Sequence, residues 1–363
     1  MAPYAFLALV PLAIVVRYAV HAPAIWTFAI ACAAIVPLAD WIRRATEQIA
    51  ERKGGAVGGL LNVTFGNAAE LVLAFFVLLA GRPEVVKAQI TGAIIGNGLL
   101  GFGLAISVGT LAQRRIRFDA ARAGHLASLL MLVMIALLLP ALFDYTERSL
   151  YHARNATSLD AHLSLGVAIV LVAVYVANLV YTLVTHRDVF ATEGEAPRAA
   201  RNAWPLRRSI VVLLIATALT AWMAEVVSDA LDEAARALRV SGLFLGVVVL
   251  ALVGNIGEYL SSMHFARQGR IALVVGITVG STIQVALLVA PILVIASHFT
   301  AHPLDLVFAN PLELVAIAST ALIVNAITRD GEATWFEGVL LVAVYVLLGV
   351  AFFYATPAAS AAG

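Results

Sequence analysis

Long apolar runs separated by short polar connections make up almost the whole chain. Eleven runs are long enough to cross about 30 Å of hydrocarbon as helices. They cover residues 4–20, 23–39, 56–80, 84–111, 120–143, 163–186, 207–230, 241–266, 271–298, 308–328 and 334–355. The first is the weakest, because Arg17 interrupts it near its end. Residues 40–55, DWIRRATEQIAERKGG, are charged and read as a separate amphipathic helix lying at the interface. The longest polar connection, residues 187–206, reads as a flexible linker. The N-terminal run lacks a basic leader and a cleavage pattern, so it reads as a retained helix.

Within this pattern one 38-residue stretch occurs twice. Gly66–Gly103 and Gly254–Pro291 align without a gap at a constant offset of 188 residues. Gly66, Asn67, Glu70, Gly81, Arg82, Val86, Gly92, Ile95, Leu99 and Leu100 each meet an identical residue. The repeat begins in the second helix of each of two five-helix sets. Five is an odd number of crossings, so the sets run through the membrane in opposite senses. The predicted fold is an all-α membrane protein of about 11 transmembrane helices, one extra N-terminal helix plus two inverted five-helix repeats. The divisions are residues 1–22 (extra helix), 23–186 (first repeat), 187–206 (linker), 207–355 (second repeat) and 356–363 (tail).

Composition agrees with this pattern. The chain is 62% hydrophobic and only 12% charged, with a mean hydropathy of +0.96. A soluble fold of this size cannot bury so much apolar surface, and a net charge of +1 gives no basis for a nucleic-acid partner. The single cysteine, Cys32, excludes an internal disulfide. Connections after even-numbered spans hold 16 of the 23 Lys and Arg residues, which places those loops and the N-terminus in the cytoplasm. Short loops without targeting extensions point to a bacterial-type inner membrane.

Glu70 and Glu258 sit inside spans 3 and 8. A carboxylate in lipid is costly and usually functional, and two at equivalent places point to a transport site shared by the halves. Asn67 and Asn255 each lie three residues earlier, on the same helix face as their glutamate. Amide and carboxylate oxygens together suit a hard cation such as Ca²⁺; an interhelical hydrogen bond is the alternative use of the asparagines. Gly66 and Gly254 are expected to break their helices and free carbonyls, and Gly54, Gly55, Gly58 and Gly59 to loosen the start of span 3. In the following helices, Asn97, Ser281 and Gln284 are placed to bond the carboxylates or a ligand water, or else to join helices. Glu225, Asp229, Asp232 and Glu233 read as a solvated cluster, and Glu313 and Glu337 as charges suited to helix starts. His125 and His264 read as satisfied histidines. No hydrolase or nucleotide-binding pattern appears, so the chain does not read as an enzyme, and no cofactor is expected.

The doubled motif has a likeness. GNAAELVLAFF followed by VVKAQITGAIIGNGLLGFG, and GNIGEYLSS followed by GITVGSTIQVALLVAP, resemble the paired repeats of the calcium/proton exchanger family, within the cation/calcium exchanger superfamily. The likeness extends to GGLLNVTFGNAAE, RRATE (Arg43–Glu47) and LVTHRDVF (Leu183–Phe190). It implies an antiporter of ten core helices plus one, with Ca²⁺ and H⁺ as substrates in a lipid bilayer. It implies that Glu70 and Glu258 bind the metal and protons alternately. Three departures stand out: Tyr259 replaces a histidine that often follows the second glutamate, Ala93 faces Ser281, and the central loop is not strongly acidic. A sodium/calcium exchanger of the same fold, a passive cation channel and an intramembrane enzyme are the competing readings. The oligomeric state is left open, a homo-oligomer included.

Overall fold

A computed structural model describes residues 6–20, 22–53, 66–111, 114–150, 156–185, 204–308, 310–329 and 331–355. The linker, the C-terminal tail and the glycines at 54–59 fall outside these residues, apart from the last few linker positions. Eleven helices occur among the described residues: α1 (Leu9–Val15), α2 (Ala24–Lys53), α3 (Ala68–Leu79), α4 (Pro83–Gly109), α5 (Ala120–Tyr145), α6 (Ala156–Val180), α7 (Leu206–Leu238), α8 (Gly242–Arg267), α9 (Ile271–Ser297), α10 (Pro311–Thr328) and α11 (Trp335–Tyr354). Nine are long and apolar enough to cross a membrane; α1 and α3 are shorter. The first part of the run assigned to span 3, residues 56–65, lies outside the described residues.

Polar signals set the helix starts. The Asn310 side chain accepts from Leu312 N at 2.9 Å, and Thr334 with Glu337 forms a reciprocal capping box at α11. The expected fit of Glu337 to a helix start is thereby met. Segment 40–53 departs from expectation. It is the continuation of α2, not a separate interfacial helix. Its charges pair along the helix, Arg43 with Asp40 at 2.8 Å and Arg44 with Asp40 at 2.6 Å, while its apolar side packs on α7.

Contacts at the helix ends establish the two faces. Strand β1 (Arg115–Arg117), after α4, pairs antiparallel with β2 (Glu332–Thr334), after α10, with Ile116 opposite Ala333. The Trp204 amide, just before α7, donates to Gln48 near the end of α2 at 2.8 Å. Thus loops after even-numbered helices meet one another. Loops after odd-numbered helices do likewise: Arg17 bonds Asp229 at 3.0 Å, Arg82 bonds Asp232, and Lys87 bonds Asp305 at 2.7 Å. Asp229 and Asp232, read as solvated, therefore tie α7 to α1 and to the α3–α4 turn. Since α2 starts on the odd-loop face and α7 on the even-loop face, the two five-helix sets are inverted. α2 and α7, the first helix of each set, lie against one another.

The core runs through α4 and α9, the third helix of each set. Every residue from Val85 to Ile95 is buried. Burial on all sides explains why α4 carries alanine, glycine and threonine where a lipid-facing helix carries leucine. Both helices contain a π-helical stretch at matching places, Gly96–Gly101 and Val285–Val289. Another lies in α8 at Leu245–Leu250, and three more at helix ends, Val16–Val20, Thr146–Leu150 and Tyr181–Thr185. Such widened turns often mark functional sites. The α4 stretch holds Asn97, and the α9 stretch directly follows Gln284.

Candidate functional site

Glu70 occupies the first turn of α3, immediately after the Gly66–Asn67 turn. Gly66 is in a turn, and whether it breaks a helix depends on residues 54–65, outside the described residues. Gly254 departs from expectation, because α8 runs unbroken through it. A Cβ at Gly254 would lie 3.0 Å from Glu70 Cγ, so this glycine admits the other repeat's glutamate instead of opening the helix.

The two carboxylates meet at Asn67. One end of its amide lies 3.2 Å from Glu70 Oε2 and 3.2 Å from Glu258 Oε1, and donates to both when the nitrogen is assigned there; the other end faces the Gln284 amide at 3.1 Å. Ser281 Oγ donates to Glu258 Oε1 at 2.8 Å. Asn97 Nδ2 donates to Asn255 Oδ1 at 2.7 Å, and Asn255 Nδ2 returns to the Ala251 carbonyl at 2.8 Å. All nine residues singled out from the sequence thus fall in or beside one region. Of Asn97, Ser281 and Gln284, Ser281 bonds a carboxylate, whereas Asn97 and Gln284 bond asparagines of the other repeat, the helix-joining use.

The amide pairs cross between repeats. Asn97 of the first repeat holds Asn255 of the second, and Gln284 of the second holds Asn67 of the first. The α3–α4 and α8–α9 pairs are therefore latched through the equivalent Asn67 and Asn255, by partners one position out of register, Asn97 aligning with Val285 and Gln284 with Gly96. Several oxygens still lack a protein partner in this buried place: Glu70 Oε1, Glu258 Oε2 and Asn97 Oδ1. Unpaired buried oxygens of this kind are what a hard cation or a proton satisfies. Among the described residues, no group of three or more His, Cys, Asp or Glu forms a separate metal centre.

A cavity of ≈ 340 Å³, counting its open mouth, leads to the pair from the even-loop face. Gly66, Ala69, Glu70, Gly254, Gly257 and Glu258 line its floor, and Asp40 and Arg43 its mouth. Sequence reasoning missed Asp40 and Arg43, because their charge spoke for an interfacial helix. A smaller cavity of ≈ 190 Å³, likewise counting its opening, lies beyond Glu70, lined by Ala74, Gln89, Ile90, Ala93, Val285 and Val289. Glu70 thus borders both cavities and Glu258 the larger one.

Removing the hydroxyl at position 281 tests the local geometry. Ser281→Ala strips a charge-assisted hydrogen bond, worth about 1.5–3 kcal/mol, from Glu258. The expected result is a roughly tenfold weaker apparent Ca²⁺ affinity in a flux titration, since about 1.4 kcal/mol is tenfold.

An inverted repeat with an acidic pair at its interface defines a secondary cation transporter. Comparison with known proteins gives the family. The profile described as sodium/calcium exchanger protein matches residues 23–184 and 208–354, and the chain belongs to that family. The Ca(2+)/H(+) antiporter ChaA of Bacillus subtilis is 38% identical over 347 residues, spanning 95% of this chain and 96% of its own. A Ca(2+)/H(+) antiporter of Aphanothece halophytica is 39% identical over 341 residues, spanning 90% of each chain. The solved structure of native YfkE superposes with a TM-score of 0.83 at 34% identity, covering 98% of this chain and all of the other.

Proposed function

We propose that the chain exchanges Ca²⁺ for H⁺ across a membrane, with Glu70 and Glu258 binding the metal and protons alternately. The carrying observation is that two buried carboxylates, one from each inverted repeat, converge on Asn67 at the floor of a cavity. Close relatives named as Ca²⁺/H⁺ antiporters support the choice of ions.

Coupling follows from electrostatics. Two ionised glutamates neutralise one Ca²⁺, and two protonated glutamates are neutral by themselves. Both loaded states therefore cross the bilayer interior without exposing a net charge. The empty, doubly ionised pair has no such balance. Like charges in a low dielectric repel, and their lost hydration is not replaced. That state resists reorientation, so the carrier exchanges and does not leak. Asn67, Asn255, Asn97 and Gln284 complete the metal's oxygen shell or hold the residues that do, and the peptide at Gly66 lies beside them. Ca²⁺ is cargo, and no resident cofactor is needed. The open mouth faces the cytoplasm of a bacterial-type inner membrane, where most Lys and Arg residues gather. Protons moving inward then drive Ca²⁺ outward.

Proteoliposomes with opposed ion gradients test this. An imposed pH gradient should move Ca²⁺ against its own gradient, with equal rates in sodium-free and sodium-containing buffer. Ca²⁺ flux that follows sodium and ignores pH would move the assignment to sodium exchange. Flux indifferent to both would make the protein a passive pathway.

A further inference from the structure

The two repeats differ in how their third helices meet the glutamates. In α9, Ser281 donates to Glu258, and the position one turn earlier is Ile277. In α4, the counterpart of Ser281 is Ala93, which offers no polar group, and the counterpart of Ile277 is Gln89. Residues four apart share a helix face. Gln89 and Ala93 therefore form the same stripe on α4 that Ile277 and Ser281 form on α9. The polar group has moved one turn toward the odd-loop face and gained the length to reach back.

Gln89 is buried, and its Nε2 donates to the main-chain carbonyl of Glu70 at 3.3 Å. That bond fixes which end of the amide faces where. The remaining atom, Oε1, has no protein partner, and neither has Glu70 Oε1. Both side chains line the smaller cavity, whose other walls are hydrocarbon. Glu70 lines both cavities, whereas Glu258 lines only the larger of the two. A divalent calcium ion takes about six to eight oxygens, far more than this cavity supplies. A carboxyl proton needs one acceptor, and a bridging water needs about two to four partners.

We infer that Gln89 is a positioning residue for the proton-carrying form of Glu70. Its Oε1 accepts the carboxyl hydrogen bond, directly or through one water, on the odd-loop side of the site. It does for the protonated state of Glu70 what Ser281, a donor, does for the ionised state of Glu258. The glutamates are equivalent by descent of the repeat but divide the work unequally. Glu258 is organised for the metal, and Glu70 is shared between the metal and the proton's side. This rests on the exchange reading above.

Gln89→Met keeps the length and fills the cavity but removes the acceptor. Two fluxes from the same vesicles give the readout: pH-gradient-driven Ca²⁺ transport, and isotopic Ca²⁺/Ca²⁺ self-exchange at equal pH, which needs no proton step. The first is expected to fall about tenfold, as loss of a buried hydrogen-bond partner implies, and the second to stay within about twofold, since no metal-facing group changes. Adding Ala93→Ser to Gln89→Met returns a hydroxyl to the same stripe and should restore proton-coupled flux. Gln89→Ala, which empties the space instead of refilling it, should show the same selective loss. Unchanged proton-coupled flux in Gln89→Met, or an equal loss of both fluxes in well-folded protein, overturns the assignment. Wild-type vesicles that show self-exchange but no proton-coupled flux would overturn the exchange reading itself, a distinguishable result.

Discussion

Changing either Glu70 or Glu258 to glutamine is expected to cut pH-gradient-driven Ca²⁺ flux in sealed vesicles by more than about a hundredfold. Glutamine keeps the size of the side chain and can still accept from Ser281 or face Asn67, so the surrounding bonds survive. What disappears is one negative charge and one protonatable oxygen. A buried Ca²⁺ facing a single carboxylate retains a net positive charge, at a cost of about several kcal/mol in the site. The proton leg fails as well, since an amide cannot replace the carboxyl in the return step. The amide of Asn67 lies at equal distances from both carboxylates, so neither variant should be spared. Near wild-type flux in either one would remove that residue from the transport site. Retained detergent-extracted monodispersity must accompany the loss, since misfolding would produce the same silence.

Much of this site is legible in the sequence because lipid enforces simple rules. A backbone in hydrocarbon must be helical over about 20 residues, and a carboxylate there is expensive, so apolar runs and Glu70 and Glu258 stand out. The repeat then identifies Asn67 and Asn255 by position. What stays hidden depends on packing between segments far apart in sequence. Asn97 and Asn255 are 158 residues apart, and nothing local tells which repeat an asparagine serves. The continuation of α2 past Asp40 escapes sequence reasoning because charge pattern alone does not show that α7 lies alongside. Gly254 escapes it because a glycine that breaks a helix and one that admits a neighbour look alike in sequence. Gln89 does leave a signal: a buried amide aligned with isoleucine in the other copy, one turn from the Ala93 and Ser281 mismatch.

The same ambiguity of glycine gives the second large expected effect. Gly92 and Gly280 are equivalent in the repeat, yet substitution should separate them sharply. A Cβ at Gly92 would lie 2.0 Å from the Val247 carbonyl oxygen and 2.6 Å from Ala251 Cβ. Gly246 on the opposing helix is as crowded, its Cβ position 2.6 Å from Ala88 Cβ and 2.8 Å from the Val85 carbonyl oxygen. α4 and α8 therefore approach backbone to backbone, and the obstacle is main chain that no rotamer change can move. At Gly280, nothing lies within 4 Å of the added atom. Gly92→Ala should force α4 off α8 and destabilise the fold by about 3 kcal/mol or more, the upper range for overpacking. Gly280→Ala should be neutral or stabilising by up to about 1 kcal/mol through helix propensity. Thermal unfolding in detergent, followed by loss of the monodisperse peak, measures both. Equal tolerance at the two positions would mean that α4 and α8 do not meet at this glycine pair, and with it the convergence of the two glutamates would lose its structural support.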